Sequence, residues 1–482
     1  MTKPTLHIPI ALMVGILSIG LTGLAYADEL FVGAASVTIT PEKPVALSGQ
    51  MRTRIARDVQ SPVTATALAL ETRNEQGVAE QAVFVSCDLV AIREGIAEQV
   101  RAAVAERVQD LDASKVILSA THTHTAPVMK PGRYTITDED VILPEDYVVF
   151  LVDQLADVVA DAWNARAPGA AGWGLGHAVV AQNRRSVYAD GTAVMYGKTD
   201  KDDFRMIEGY EDHGVEVLFF WDAEANLIAT AVNIACPAQE VEGLSAVNAD
   251  FWHEVRQELR KRHGDNLHVL GWIGAAGDQS PHLMFRKEAE ERMRELRGLT
   301  RLEELARRIV RAWEEAYDGA RKDIRDNVSM THRIETIELP LRQITEAERN
   351  NARAQVEELS ADPANIWKVN WHQSVVDRYE QQQAGTAQPY TMDLHVLRLG
   401  DVAIATNDFE LFTDFGIQMK TRSRALQTFV IQLAGPGSYV PSARAVKGGG
   451  YSAIPESNDV GPEGGQVLTD KTVALINSLW PE

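Results

Sequence analysis

The sequence predicts an α/β protein that forms one large domain, with a mixed sheet and flanking helices. Apolar runs rich in β-branched residues alternate along the chain with segments whose apolar residues recur at helical spacing. No internal repeat and no clear linker divides the 482 residues, of which 45% are hydrophobic and 24% charged. That composition is typical of a folded globular protein and excludes a disordered or collagen-like chain. An α+β arrangement is the alternative.

The strands are predicted at Ala82–Ser86, Lys115–Ala120, Val215–Trp221, Leu227–Asn233, Leu267–Trp272, Val402–Thr406 and Thr428–Leu433. The helices are predicted at Ile92–Gln109, Tyr147–Ala165, Phe251–Lys261, Arg301–Asp318 and Glu346–Leu359. The Arg- and Glu-rich segment Lys287–Arg325 indicates a solvated helical surface held by ion pairs. The polar stretch Leu359–Pro389 has poor periodicity, so we expect a long loop or an excursion from the domain there.

The first 27 residues have the features of a secretory signal peptide. Lys3 gives a positive start, the run Ile8–Leu24 is apolar, and Ala25–Ala27 has the small-x-small pattern of a signal-peptidase site. We expect cleavage after Ala27 and a secreted or periplasmic mature protein of residues 28–482. A transmembrane anchor is the alternative, because the apolar run is nearly long enough to span a bilayer. No later segment is apolar enough, so no integral membrane segment is expected after cleavage.

The chain is strongly acidic, with 68 Asp and Glu residues against 47 Lys and Arg and a net charge of −21. No nucleic-acid partner is expected, because phosphate binding needs clustered Lys and Arg. Only two cysteines occur, Cys87 and Cys236. Export permits a disulfide, but their spacing does not decide between a disulfide and two buried thiols.

Two histidines, His122 and His124, directly follow the predicted strand Lys115–Ala120. Ligands bind at the carboxyl ends of strands in α/β sheets. Residues i and i+2 of an extended segment point the same way, so both imidazoles can reach one metal or one substrate. Zinc takes histidine nitrogen readily, and a catalytic zinc needs about three protein ligands and an open position. The alternative is a histidine pair satisfied by hydrogen bonds of the loop.

A glycine-rich turn, Gly274–Pro281, follows the predicted strand Leu267–Trp272 and contains Asp278 and Ser280. Its glycines would let the backbone approach a ligand closely. The segment is neither a nucleophile elbow nor a Walker loop. A tight turn in which Asp and Ser cap the following residues is the simpler interpretation of this segment alone.

Further polar residues accompany strand ends and glycine-rich loops. Tyr439 and Tyr451 lie beside runs of glycine and are candidates for a pocket, although ordinary loop positions are equally consistent with the sequence. Glu410 follows the predicted strand Val402–Thr406, and Arg184 follows Asn183. Together with the histidines, these residues form a set that could act on a ligand.

Taken in order, these segments resemble the catalytic domain of the neutral/alkaline (non-lysosomal) ceramidase family, from about Leu30 to the end of the chain. The family has HTHxxP after a strand, GDxSP, an Asn-Arg pair, a late glutamate and two spaced tyrosines. The corresponding residues here are His122–Pro127, Gly277–Pro281, Asn183–Arg184, Glu410, Tyr439 and Tyr451. No single motif is decisive, but five in the correct order are specific.

The resemblance implies a zinc amidohydrolase that splits ceramide into sphingosine and a fatty acid, with a role in sphingolipid or other lipid metabolism. It implies zinc ligands at His122, Glu410 and Tyr439 and an acid/base at His124. It also implies that Arg184 and Tyr451 hold the amide carbonyl. Ser280, with Asp278 behind it, would lie near the metal and the substrate head.

The chain departs from the family pattern in two respects. The family has a further histidine ligand in Asn-Tyr-Ala-Cys-His-Pro-Thr, whereas Asn233–Gln239 places Pro237 at that position. Proline offers a metal nothing, so Cys236, Gln239 or His124 would have to substitute, or zinc would not bind. The family also continues into a C-terminal sandwich domain. We therefore expect residues 28–482 to form the catalytic domain without it.

Three functions follow from these residues. The first is a secreted metal-dependent hydrolase that cleaves an amide (N-acyl) bond of a small or lipid-like substrate by metal-activated water. The second is a ligand-binding pseudoenzyme that lost the zinc. The third is an enzyme without zinc, in which Ser280 is the nucleophile and His124 or His282 the base. An N-acyl lipid, an N-acyl amino compound and a sugar amide all remain open as the substrate.

Overall fold

The computed structural model describes residues 28–480. The strands are β1 (Glu29–Thr38), β2 (Val45–Ala46), β3 (Ile55–Ala56), β4 (Thr64–Asn74), β5 (Gly77–Cys87), β6 (Val116–Ala120), β7 (Ala167–His177), β8 (Gln182–Asn183), β9 (Arg185–Tyr188), β10 (Ala193–Met195), β11 (Phe204–Ile207), β12 (Gly214–Asp222), β13 (Leu227–Ile234), β14 (His268–Ile273), β15 (Gln279–Ser280), β16 (Met330–Leu339), β17 (Tyr390–Leu399), β18 (Val402–Thr406), β19 (Glu410–Leu411), β20 (Gln427–Ile431) and β21 (Tyr439–Val440). The helices are α1 (Ile96–Arg107), α2 (Pro144–Asn164), α3 (Phe251–His263), α4 (Lys287–Leu296), α5 (Arg301–Ala320), α6 (Glu346–Leu359), α7 (Ile366–Ala384), α8 (Thr413–Arg422), α9 (Ala443–Gly448) and α10 (Pro462–Ser478).

The largest sheet has eight strands in the order β14-β13-β12-β7-β1-β4-β5-β6. The neighbours β13 and β14 are parallel, as are β5 and β6, and the other neighbours are antiparallel. The predicted α/β class with a large mixed sheet and flanking helices is therefore confirmed.

Helices cover one face of this sheet and the second sheet covers the other, so the central parts of its strands bury apolar residues on both faces. On β4, Ala65, Ala67 and Ala69 belong to the core beneath α1 and α2. Leu68 and Leu70 alternate with them and belong to the core on the opposite face. The small residues accommodate the helices, and the large residues fill the space toward the second sheet.

The second sheet has four strands in the order β16-β17-β18-β20 and packs on the inner face of the first. The core between the sheets includes Phe84 and Trp272 of the first sheet and Leu397, Ile404 and Phe429 of the second. Helices α3 and α5 cover another part of the outer face of the first sheet, and α8 and α10 cover the second sheet. The protein thus has four layers: helices, sheet, sheet, helices.

Strand β7 was not predicted, because its sequence is rich in glycine. The structure shows the reason for those glycines: a Cβ on Gly174 would lie 2.6 Å from the carbonyl oxygen of Ala316, and one on Gly176 would lie 2.0 Å from that of Ala312. Helix α5 therefore packs directly against the backbone of β7, an approach that other residues would block.

The prediction of a loop at Leu359–Pro389 is wrong, because most of that segment is helix α7, paired with α6. Only Val375 and Val376 of α7 are buried, and they join a small cluster with Ile344 and Ala352. The helix lacks a broad apolar stripe because most of its surface faces solvent.

Cys87 and Cys236 are free and buried in separate clusters beneath the helices. Between residues 28 and 480, no helix is long and apolar enough to cross a bilayer. The predicted signal peptide, residues 1–27, lies outside the described residues.

Candidate functional site

The predicted site segments meet at the carboxyl ends of five strands from both sheets. His122 and His124 follow β6, and the turn after β13 contains Gln239. The turn with Asp278 follows β14, Glu410 follows β18, and Tyr439 follows β20. The convergence of these loops agrees with the rule that ligands bind at strand carboxyl ends.

His122 has a strained backbone and a fixed ring. Its φ is 63°, in the left-handed region that residues other than glycine rarely adopt. The expectation of an extended segment is therefore wrong here, although both rings still meet. Nδ1 lies 2.6 Å from the carbonyl oxygen of Val90, so Nδ1–H donates to it. Nε2 lies 3.3 Å from Oε2 of Glu410.

Glu410 and Tyr439 are held side by side by their backbones, since they are paired residues of the parallel strands β19 and β21. The charge of Glu410 acts on the Tyr439 hydroxyl, whose oxygen accepts a hydrogen bond from Arg184 at 3.1 Å. Burial opposes the ionisation of Glu410, but His122 and Arg184 outweigh it and lower its pKa to about 2. Burial, followed by the charge of Glu410, raises the pKa of Tyr439.

His124 lies in a cage of polar groups. Its Nε2 is 3.2 Å from Nε2 of His122 and 2.9 Å from Nε2 of Gln239. The Gln239 amide is oriented by Arg184, which donates to its Oε1 at 3.1 Å, so its NH2 group donates to His124. On the other side, Nδ1 of His124 lies 3.3 Å from Oε2 of Glu242. Burial lowers the pKa of His124 to about 4, and Glu242 opposes that shift.

Two residues that were not predicted from the sequence, Arg54 and Gly49, contact His124. Arg54 is buried and donates to the carbonyl oxygens of His124 (2.6 Å) and Glu242 (2.8 Å). Gly49 has a φ of 95°, and a Cβ there would lie 2.4 Å from Cγ of His124. The imidazole ring of His124 therefore packs directly against the backbone of Gly49.

A cavity of about 410 Å³ opens onto this centre. Five of the predicted site residues line it: His122, His124, Glu410, Tyr439 and Tyr451. Burial raises the pKa of Tyr451 to about 12, so its phenol is neutral and can donate a hydrogen bond. The opposite wall is formed in part by Trp367 and Trp371 of α7. The structure thus joins the strand-end residues to a helix that the sequence did not predict.

The three other predicted site residues do not line the cavity. Arg184 lies behind Tyr439, to whose hydroxyl oxygen it donates at 3.1 Å. Asp278 accepts hydrogen bonds from Asn183 Nδ2 at 2.7 Å and from the Thr413 hydroxyl at 2.7 Å. These contacts connect the three loops that carry the site, so Asp278 organises them rather than reaching a ligand.

Ser280 is fully buried, and its hydroxyl lies 3.1 Å from the Tyr196 hydroxyl. The backbone N–H of His282, not its ring, donates to Ser280 Oγ at 3.1 Å. Activation of a serine requires a base within hydrogen-bonding distance of its hydroxyl. Among residues 28–480, no imidazole nitrogen makes that contact, so the geometry does not favour a serine nucleophile.

The donor atoms around His122 suit a cation in type and spacing. Two ligands about 2.0–2.2 Å from a tetrahedral zinc lie about 3.4 Å apart, close to the observed separation between His122 and Glu410. In the described part of the chain, no three His, Cys, Asp or Glu side chains are placed to hold a metal by themselves. Tyr439 pairs with Glu410 through the backbone and is the candidate for a third donor. The spacing of His122 and Glu410 therefore fits two ligands of a zinc site.

Pro237 follows Cys236 in the turn after β13, and its side chain offers no donor. Gln239, two residues further on, directs its amide toward His124 instead. The buried thiol of Cys236 bonds only to the carbonyl oxygen of Pro237 and does not join the centre. A fourth protein ligand of the kind that the resemblance implies is thus absent from this turn.

A second cavity, of about 920 Å³, adjoins the site on the far side of Glu242. Tyr196, Glu242 and His282 line it. Nε2 of His282 lies 3.5 Å from Oε1 of Glu242, so this carboxylate faces one histidine in each direction.

The fold and the cavity define an α/β protein with a histidine–carboxylate pocket at its strand ends. No family model and no curated protein matches the sequence. Neutral ceramidase from Pseudomonas aeruginosa is similar in structure, with a TM-score of 0.67 and 16% identity, over 94% of this chain and 74% of that one. A ceramidase complexed with C2 is similar at a TM-score of 0.64 and 15% identity, over 94% and 75% of the two chains. The chain therefore has the neutral ceramidase fold, which confirms the fold that the resemblance implied.

Proposed function

We propose that this protein hydrolyses an amide (N-acyl) bond at the centre formed by His122, His124 and Glu410. The observation that supports it is the meeting of these residues with Tyr439 and Tyr451 in one cavity, on the neutral ceramidase fold. Water would add its oxygen to the acyl carbon, the C–N bond would break, and the amine would leave with a proton. The products are a carboxylic acid and an amine.

Zinc held by His122, Glu410 and Tyr439 would lower the pKa of water and polarise the substrate carbonyl. His124 is neutral, so it can take a proton from water and give it to the leaving amine. Tyr451 can donate a hydrogen bond to the oxygen that becomes negative. Arg184 acts through Tyr439 and Gln239 and is therefore a positioning residue.

The test compares zinc content and amide hydrolysis in the wild-type protein and the His122→Ala and Glu410→Gln variants. We expect about one zinc per chain in the wild type, with both zinc and hydrolysis lost in the variants. His177→Ala is the control, because His177 is exposed and does not line the cavity. Hydrolysis that is equal in all four proteins would overturn the assignment of the site.

A ligand-binding protein without catalysis is the second candidate. Pro237 and the amide of Gln239 favour it, because neither replaces the missing histidine as a metal ligand of the usual kind. This candidate predicts no stoichiometric zinc and no hydrolysis in the wild type. The zinc determination described above therefore separates the two functions.

We further propose that residues 1–27 direct export and that the mature protein begins after Ala27, in the periplasm or outside the cell. The support is the apolar run and the small-x-small pattern of the sequence. N-terminal sequencing of the protein recovered from the periplasm or medium would test this. A retained Met1 on membrane-bound protein would favour the anchor.

A further inference from the structure

The wall of the cavity contains two arginines for which the described part of the chain provides no ion pair. Arg93 and Arg133 both line it. Arg93 donates to the carbonyl oxygen of Pro436 at 2.5 Å. Arg133 lies over the ring of Trp367, 5.2 Å from its centroid, and its buried Nε has no hydrogen-bond partner. Within residues 28–480, neither guanidinium forms an ion pair with a carboxylate.

By contrast, each of the four carboxylates that line the same cavity contacts a basic side chain. Glu94 lies 3.9 Å from Lys130, and Glu410 lies 3.3 Å from His122. The other two, Glu456 and Asp459, contact His372 at 3.0 Å and Arg378 at 2.8 Å. A chain with 68 acidic residues and a net charge of −21 thus has two guanidiniums in this cavity that form no ion pair with a carboxylate of residues 28–480.

Both guanidiniums line the same cavity as Tyr451. Burial lowers the pKa of Arg93 to about 10, the charge of Arg133 adds to that shift, and the charges of Glu94 and Glu410 oppose it. The charge of Arg133 also acts on the Tyr451 hydroxyl. Like charges that line one cavity repel each other, and an anion bound between them would relieve that repulsion.

We propose that Arg93 and Arg133 bind a carboxylate of the substrate, so that the substrate is an anionic amide such as an N-acyl amino acid. Guanidinium groups recognise carboxylates through paired, charge-assisted hydrogen bonds. Trp367 orients the Arg133 guanidinium and offers an apolar surface to the adjoining part of the substrate. This inference rests on the proposed amide hydrolysis and adds the charge of the substrate to it.

The first experiment compares kcat/KM for N-octanoylglycine with that for N-octanoylethanolamine, which replaces the carboxylate by a hydroxymethyl group. We expect at least a tenfold preference for the anionic amide. N-Ethylsuccinamic acid, which carries its carboxylate on the acyl side, distinguishes the two possible positions of the charge. Equal hydrolysis of the anionic and neutral amides would overturn the inference while the proposed function stands.

The second experiment measures binding of N-octanoylglycine to the His122→Ala protein by calorimetry, so that catalysis is not needed. We expect Arg133→Met in that background to raise Kd at least tenfold and Arg133→Lys to raise it less. Arg353→Met, an exposed arginine of α6, is the matched control. Unchanged affinity in Arg133→Met would overturn the carboxylate site. Binding without hydrolysis in the wild type would overturn the proposed function instead.

Discussion

The two walls of the cavity that holds His122 and Glu410 are built in different ways. The strand-end wall carries His122, Glu410 and Tyr439 on turns anchored to two packed sheets. The helical wall carries Trp367 and Trp371 on α7, whose own core is a cluster of four buried residues. The side chains that contact each other at about 3 Å, such as His122 and Glu410, lie on the strand-end wall. The two tryptophans, which contribute only apolar surface to the cavity, lie on the helical wall. We expect the first wall to govern turnover and the second to govern substrate affinity.

The largest expected effect comes from Gly49→Ala on the strand-end side. The new Cβ would lie 2.4 Å from Cγ of His124, so the ring must move. A shift of about 1 Å in a catalytic group can cost about 100-fold in rate, and we expect kcat to fall by about that factor. The control is Gly191→Ala, which has a similar φ of 86° but no atom within 4 Å of the new Cβ. Equal loss in both variants would show that backbone strain, not the clash, is responsible.

The next effect is expected from Glu242→Gln, which keeps the shape of the side chain but removes its charge. Glu242 faces His124 at 3.3 Å, and loss of such an orienting partner typically costs 10–100-fold. We expect kcat to fall by about 30-fold with little change in melting temperature. Glu304→Gln breaks ion pairs of α5 with Arg307 and Arg308, so it should lower the melting temperature and leave kcat nearly unchanged. Steady-state kinetics and thermal unfolding of both variants check this.

A smaller effect, of a different kind, is expected on the helical wall. Trp371→Ala removes a ring of the cavity wall whose centroid lies 5.7 Å from that of Tyr451. We expect KM to rise by about tenfold and kcat to change less, because mainly uniform binding is lost. Ile366→Ala, an exposed position of the same helix, should leave KM unchanged. A fall in kcat alone would contradict the division of roles between the walls.

The smallest expected effect concerns the pH dependence of the rigid framework. His332 and His395 are buried neighbours, with Nε2 and Nδ1 3.1 Å apart. Burial lowers the pKa of His332 to about 4 and lowers that of His395 as well. The unfolded chain binds protons first, below about pH 6.5, so the free energy of unfolding falls as the pH drops below that value.

Between pH 7.5 and 5.5 we expect the wild type to lose about 1 kcal/mol through His332 alone. Denaturant unfolding at the two pH values measures this loss, and His332→Gln should reduce it. Because the pair lies on the second sheet and not on α7, limited proteolysis of α7 should be no more sensitive to acid than that of the sheets. An unchanged pH dependence in His332→Gln would assign the loss to other groups.

The residues of the strand-end wall were predicted from the sequence better than those of the helical wall. His122, His124 and Glu410 follow strands with strong apolar signals, so their position at one sheet edge could be predicted. The order of the motifs also indicated the neutral ceramidase fold. By contrast, α7 carries only two buried residues and therefore leaves little periodicity for a sequence to show.

Contacts made by distant segments could not be predicted. Gly49, Arg54 and Glu242 reach His124 from turns whose conformation depends on the complete fold, and none has a local motif. That Arg93 and Arg133 form no ion pair within residues 28–480 can be recognised only from the structure, because the carboxylates of the cavity contact other basic side chains. Sequence spacing also does not distinguish residues that line a cavity from those one layer behind it, such as Arg184 and Asp278.

The left-handed backbone of His122, with its φ of 63°, sets a limit on engineering of this protein. A residue with a Cβ pays about 1 kcal/mol or more for that conformation, whereas glycine adopts it freely. A glycine here would relieve that strain, but it would also leave the Val90 carbonyl oxygen without its imidazole donor and remove the side chain on which the proposed chemistry depends. A substitution chosen from backbone conformation alone would therefore be misleading at this position, so activity must be part of any screen from its first round.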